Sequence, residues 1–136
     1  MPASRFKLKI EHFKERSMPN SSALPMAAPL TAASTVLRID RFTCPLTHWP
    51  AFAEKLAFID GHLQSQPHCA MSRVASSERD GMVFVITIAE WENRDALSSA
   101  KQEMATVYAE SGFDPVAFMA EHGITGEFAT FDTVAM

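Results

Sequence analysis

Asp40 places a carboxylate in the middle of an apolar run, Val36-Leu37-Arg38-Ile39-Asp40-Arg41-Phe42. If it points into an apolar cleft, burial penalises its charged form, raises its pKa and suits it to act as a general base. If it points to water, it pairs with Arg38 or Arg41. A one-residue change of strand register decides between the two. Trp91 ends the most apolar segment of the chain. An indole there can stack on an aromatic ring or donate its N–H to an oxyanion; it can equally fix a corner of the core. Asn93 follows two residues later and can bond a phenolate oxygen or cap a helix. Tyr108, the single tyrosine, closes an apolar helical stripe and can turn its hydroxyl toward the same space. Phe42, Phe52 and Phe84 are the aromatic side chains expected to line that space with it. Proton transfer to and from a small aromatic ligand is the chemistry such a set supports.

Other chemistries find less support. His48 stands at a helix start and can serve as a base or simply face solvent. His62 falls off the apolar stripe of its helix, and His122 sits where a cation favours the end of a helix dipole. His68-Cys69 offers two ligands, too few for a zinc site, so no metal is expected. No Ser-His-Asp order, phosphate loop or dinucleotide glycine pattern is visible, and the chain has only 5 glycines. Two cysteines, Cys44 and Cys69, are too few for a disulfide scaffold and lack CxxC spacing, so free thiols in a reducing cytoplasm are expected. The net charge of −4 argues against a nucleic-acid partner. No apolar run is long enough to span a membrane.

These residues must be positioned by surrounding elements. Residues 1–34 hold Arg5, Lys7, Lys9, Lys14 and Arg16 against Glu11 and Glu15, and then a proline-rich stretch of small residues. They read as a flexible arm and linker in which Phe6, Ile10 and Phe13 share a short helical stripe. The folded domain is expected over 35–136. A strand over 36–42 ends at Cys44-Pro45, and Thr47 is placed to cap a helix over 48–64. There Trp49, Phe52, Ala53, Leu56, Ile59 and Leu63 recur at helical spacing until Gln66-Pro67 stops it. A weaker strand over 70–77 leads through the turn Ser77-Glu78-Arg79-Asp80-Gly81, where Asp-Gly tolerates left-handed backbone, into a strong one over 82–91, whose continuous apolar run suggests that both its faces are covered. Asn93 can start the next helix, with Ala96, Leu97, Ala100, Met104, Val107 and Tyr108 as its buried stripe and Gly112 as its end. Asp114-Pro115 starts a short helix closed by Gly123. A last strand over 124–134 puts Phe128 and Phe131 on opposite faces.

This β-α-β-β-α-β order is the split βαβ, ferredoxin-like arrangement of the α+β class. It has a four-stranded antiparallel sheet with helices on one face. Apolar side chains remain on the other face, and a second copy of the chain is the economical way to cover them.

Over about residues 35–134 the chain resembles the antibiotic biosynthesis monooxygenase family of the dimeric α+β barrel superfamily. The resemblance rests on this element order, on Arg41-Phe42 ending the first strand, on Gln66-Pro67 where family members often carry Gln-Pro-Gly, and on Trp91-Glu92 at the strand-helix junction. It implies a homodimer with a cleft between each sheet and its helices. It further implies oxygenation of a polyphenol, anthrone or quinol without metal or flavin, in which the deprotonated substrate gives an electron to dioxygen. Asp40, Trp91 and Asn93 are then the expected catalytic residues. Haem-degrading relatives pair an Asn on the first strand with a Trp and a His on the second helix. Here Asp40 stands near the Asn position and the helix from Asn93 to Tyr108 has neither Trp nor His, which sets haem degradation aside. A non-enzymatic dimer that binds a small apolar ligand is the alternative, since no acid or base stands out in the core stripes.

Overall fold

A computed structural model of the chain describes residues 35–136. The basic arm and its Phe6, Ile10 and Phe13 stripe lie outside the described residues. The elements run β1 (Val36–Pro45), a 3-10 turn (Leu46–His48), α1 (Trp49–Gln64), β2 (Cys69–Arg79), β3 (Met82–Trp91), α2 (Arg94–Ser111), α3 (Pro115–Glu121) and β4 (Thr125–Asp132). The four strands form one antiparallel sheet in the order β2-β3-β1-β4. This is the ferredoxin-like α+β arrangement.

Local chemistry explains most boundaries. Asp80 and Gly81 take positive φ values of 55° and 76°, the pair of left-handed conformations a two-residue hairpin turn needs between β2 and β3. Asn93 accepts from the Ala96 backbone N–H at 2.8 Å and caps α2, and Gly112 ends it at φ 72°. The Asp114 carboxylate accepts from the backbone N–H groups of Val116 and Ala117, starting α3 beside Pro115. Thr47 makes no such cap, contrary to expectation. It lies inside the 3-10 turn, and α1 begins with Pro50 in its first turn and no side-chain cap.

The pairing of β1 with both neighbours sets the faces. Val36, Asp40, Phe42 and Cys44 face the helices, opposite Trp91, Thr87, Val85 and Val83 of β3. Two apolar clusters fill that side. One joins Cys44, Val83 and Val85 to Phe52 and Leu56 of α1, Met119 of α3 and Ile124. The other joins Val36, Ala89 and Trp91 to Leu97 and Ala100 of α2. Arg94 at the start of α2 reaches Asp132 at the end of β4 at 2.8 Å and ties that corner together. The far face of the sheet, with Leu37, Ile39, Phe84, Ile86, Ile88 and Phe131, has no helix over it among the described residues. The continuous apolar run of β3 therefore has one face in the core and one on this open side. Among the described residues no helix is long and apolar enough to cross a membrane.

Candidate functional site

A cavity of about 340 Å³ lies between the sheet and the helices, at the low end of the size range for small-molecule sites. Its walls are aromatic. Phe128 touches Phe42, Phe42 touches Phe52, Phe52 touches Phe118, Phe118 touches Phe113, and Phe113 touches Tyr108. Ring centroids in this succession lie 5.6, 5.2, 6.4, 5.6 and 5.5 Å apart. Four of these five pairs meet edge-on and Phe52–Phe118 is tilted at 34°, a wall that suits a planar aromatic guest. Gly126 packs tightly beside this wall: a Cβ there would come within 3.0 Å of the Phe42 ring and 3.1 Å of the Met119 methyl, so the Phe42 ring and Met119 would have to shift to admit a side chain.

Asp40 enters the cavity from the sheet. The antiparallel register puts it between Thr87 on β3 and Phe128 on β4, facing the helices. Arg38, two residues earlier on the same face, donates from Nε to Asp40 Oδ1 at 2.6 Å and lays its guanidinium 5.4 Å over the Phe128 ring. The Asp40 side chain is 18% exposed. Burial pushes its carboxyl above the usual carboxylate range. The opposing pull of Arg38, with smaller help from Lys101 and a hydrogen bond from Thr87, does not cancel that effect. An aspartate with a raised pKa, partly desolvated and facing an apolar guest, has the properties of a general base.

Tyr108 comes from the last turns of α2. Burial raises its pKa first, the nearby Asp40 charge raises it further, and Arg38 opposes both. The phenol therefore stays protonated and is a hydrogen-bond donor. Asp60 of α1 accepts from Gln64 Nε2 at 2.6 Å and from the Ser72 hydroxyl, which closes the cavity toward β2.

Asp40, Phe42, Phe52 and Tyr108 thus share one cavity, while Phe84, Trp91 and Asn93 do not line it. Phe84 pairs with Thr43, one step out of phase with Asp40, and faces a broad hollow of about 710 Å³ on the open side of the sheet with Arg41, Ile86 and Glu127. Trp91 is 2% exposed within the second core cluster, and its Nε1 meets no acceptor among the described residues. Asn93 spends its side chain on the helix cap. Phe113, Phe118, Phe128, Lys55 and Thr87 line the cavity without having been singled out by sequence. The exception that sequence could have reached is Phe128, since alternation along the last strand sets its face.

The histidines stand elsewhere. His48 Nδ1 lies 2.8 Å from His122 Nδ1, so one ring donates and the other accepts, joining the start of α1 to the end of α3. His68 meets Glu92 at 3.1 Å on the surface. Among the described residues no three His, Cys, Asp or Glu side chains group to hold a metal ion. Both cysteines are free thiols, with their pKa values raised by burial.

No protein-family model matches the chain, and no curated protein does. Solved structures do match it. SnoaB, a cofactor-independent oxygenase from Streptomyces nogalater, is 22% identical, with a TM-score of 0.53 over 76% of this chain and 97% of that one. A candidate monooxygenase from Shewanella loihica is 19% identical, with a TM-score of 0.58 over 76% and 97%. A candidate antibiotic biosynthesis monooxygenase from Deinococcus radiodurans is 14% identical, with a TM-score of 0.55 over 74% and 94%. The ferredoxin-like α+β fold is what this chain shares with these three proteins.

Proposed function

We propose that the chain is a cofactor-independent monooxygenase of the antibiotic biosynthesis monooxygenase family, acting on a small aromatic, polyphenol or quinol substrate in the sheet-helix cavity. The observation that carries the reading is Asp40, a largely buried carboxylate with a raised pKa inside a cavity walled by six aromatic rings. The fold shared with a cofactor-independent oxygenase supports it.

In this reading the rings hold the substrate flat. Asp40, as the carboxylate, removes a proton from an activated ring CH2. The carbanion passes one electron to dioxygen, and the resulting radical and superoxide combine into a peroxide. The proton held on Asp40 passes to that peroxide. The second C–H proton then leaves with the departing hydroxide as water, and a carbonyl remains. One CH2 and one O2 thus become one C=O and one H2O. The electrons come from the two C–H bonds, so no flavin or metal is needed. Arg38 offsets the negative charge as it moves from Asp40 to substrate, and the Tyr108 hydroxyl donates to the substrate oxygen. Trp91 and Asn93 act as framework, fixing the end of β3 and the start of α2.

Oxygen uptake with a panel of anthrones and dihydroxynaphthalenes, on protein treated with a chelator, tests the reading. Turnover of at least one compound is expected, and its absence across the panel would contradict it. The Arg38–Asp40 bond favours one other reading, because a carboxylate already held at 2.6 Å by a cation suits binding without proton transfer. Saturable binding of an apolar dye without turnover would support a non-enzymatic ligand-binding protein.

The reading includes a homodimer built through the open sheet face. Ile39, Ile86 and Ile88 are half-buried there in a single chain, and Phe131 is exposed. A contiguous apolar sheet face of this kind is stable in water when paired. Light scattering at micromolar concentration should give the mass of two chains, and a monomer would sink this part of the proposal.

A further inference from the structure

Lys55 differs from the other charged groups lining the cavity. Arg38 is held by Asp40, and Asp60 accepts two hydrogen bonds. Lys55 projects from α1 one turn from Phe52 and Ile59, which line the same cavity, and its Nζ lies 4.9 Å from the centre of the Phe113 ring. Among the described residues no carboxylate lies within ion-pair distance of it. The ring face holds the ammonium in place by cation–π attraction but does not use its N–H donors. A guest that fills the cavity strips water from this half-buried cation. A neutral guest leaves the charge uncompensated, whereas an anionic one supplies the missing partner.

Position adds an orientation. Phe113 lies under Lys55 and touches Tyr108, and Tyr108 in turn senses the Asp40 charge. The ammonium and Asp40 are therefore separated by two aromatic side chains, Phe113 and Tyr108. We propose that Lys55 receives the carboxylate of an aromatic acid, so that the ligand class of this cavity is a hydroxyaryl carboxylate. Its acid group lies at the Lys55 rim, and its hydroxylated end points toward Asp40 and Tyr108. The proposal rests on the cavity being the substrate site, and adds the substrate's charge and its direction of entry.

The test is calorimetric titration of the full chain at neutral pH with 6-hydroxy-2-naphthoate, its methyl ester and 2-naphthol. The naphthoate carries its hydroxyl and carboxylate at opposite ends of a flat ring system. The acid is expected to bind about tenfold more tightly than the ester, the size of one charge-assisted hydrogen bond. Lys55→Met should bring the acid down to the affinity of the ester, and Lys55→Arg should keep the preference. Equal affinity of acid and ester for the wild type would overturn the proposal. So would a preference that survives in Lys55→Met, or no binding of any of the three. The outcome is separable from the oxygenase reading. An acid preference without oxygen uptake leaves this inference standing and sinks that one, while turnover without an acid preference does the reverse.

Discussion

Replacing Asp40 with Asn is expected to slow oxygenation by roughly a hundred- to ten-thousand-fold, the usual contribution of a positioned general base. Asn keeps the shape of the side chain and can still accept from Arg38, so the cavity should remain open and substrate should still bind. The loss should appear in kcat and not in KM. The pH profile adds a second readout. The base works as the carboxylate, so activity rises with pH as Asp40 ionises. Burial raises its pKa, which places this acid limb above the ordinary carboxylate range. The limb should vanish in Asp40→Asn. The same shift acts on folding with the opposite sense. The folded state holds the Asp40 proton more tightly than the unfolded chain does. Asp40 therefore favours folding at pH below its unfolded pKa, and that contribution is lost as pH rises through the folded value. A variant that retained wild-type turnover and its acid limb would remove Asp40 from the reaction.

Trp91→Ala should cost about 3–5 kcal/mol of folding stability, as large aromatic truncations in cores do. That is a large part of the 5–15 kcal/mol typical of a whole domain. The physical reason is its setting: 2% exposed, packed with Val36, Ala89, Leu97 and Ala100 at the corner where β3 turns into α2. Urea unfolding followed by circular dichroism measures the loss. Trp91→Phe should be much milder. The indole Nε1 meets no acceptor among the described residues, so its removal breaks no bond there and leaves only a smaller ring in the space. Oxygen uptake per folded molecule should then stay within a few-fold of wild type. A well-folded Trp91→Phe protein that had lost turnover would put the indole in the reaction after all.

These two residues also illustrate what can be read from the chain before its structure. The β3–α2 corner is legible because its signals are local: an apolar run ending at Trp91, a cap at Asn93, a glycine at 112. The Asp80-Gly81 turn and the Asp114-Pro115 helix start are legible for the same reason. The direction of Asp40 is a long-range property. It depends on β1 pairing with β3 and β4 so that Asp40 meets Thr87 and Phe128, residues 47 and 88 positions away along the chain. Phe84 shows the converse problem. Its strand is apolar without interruption, so its pattern does not mark which face meets the helices, and the register puts Val83 and Val85 there instead. Thr47 has the chemistry of a cap, but Pro50 sets where α1 begins and leaves Thr47 in the preceding 3-10 turn. Phe113, Phe118 and Lys55 meet only because α3 folds back beside α1, and no spacing in the sequence encodes that contact.

In the proposed reaction this cavity inserts one atom of dioxygen into an aromatic substrate without a bound cofactor. The most direct measurement is mass spectrometry of the product formed under isotopically heavy dioxygen, by chelator-treated and flavin-free protein, beside Asp40→Asn. A product carrying one heavy oxygen atom is expected from wild type, with the second atom in water, and little product from the variant. Product that carries no heavy oxygen, or that forms equally fast with Asp40→Asn, would contradict it.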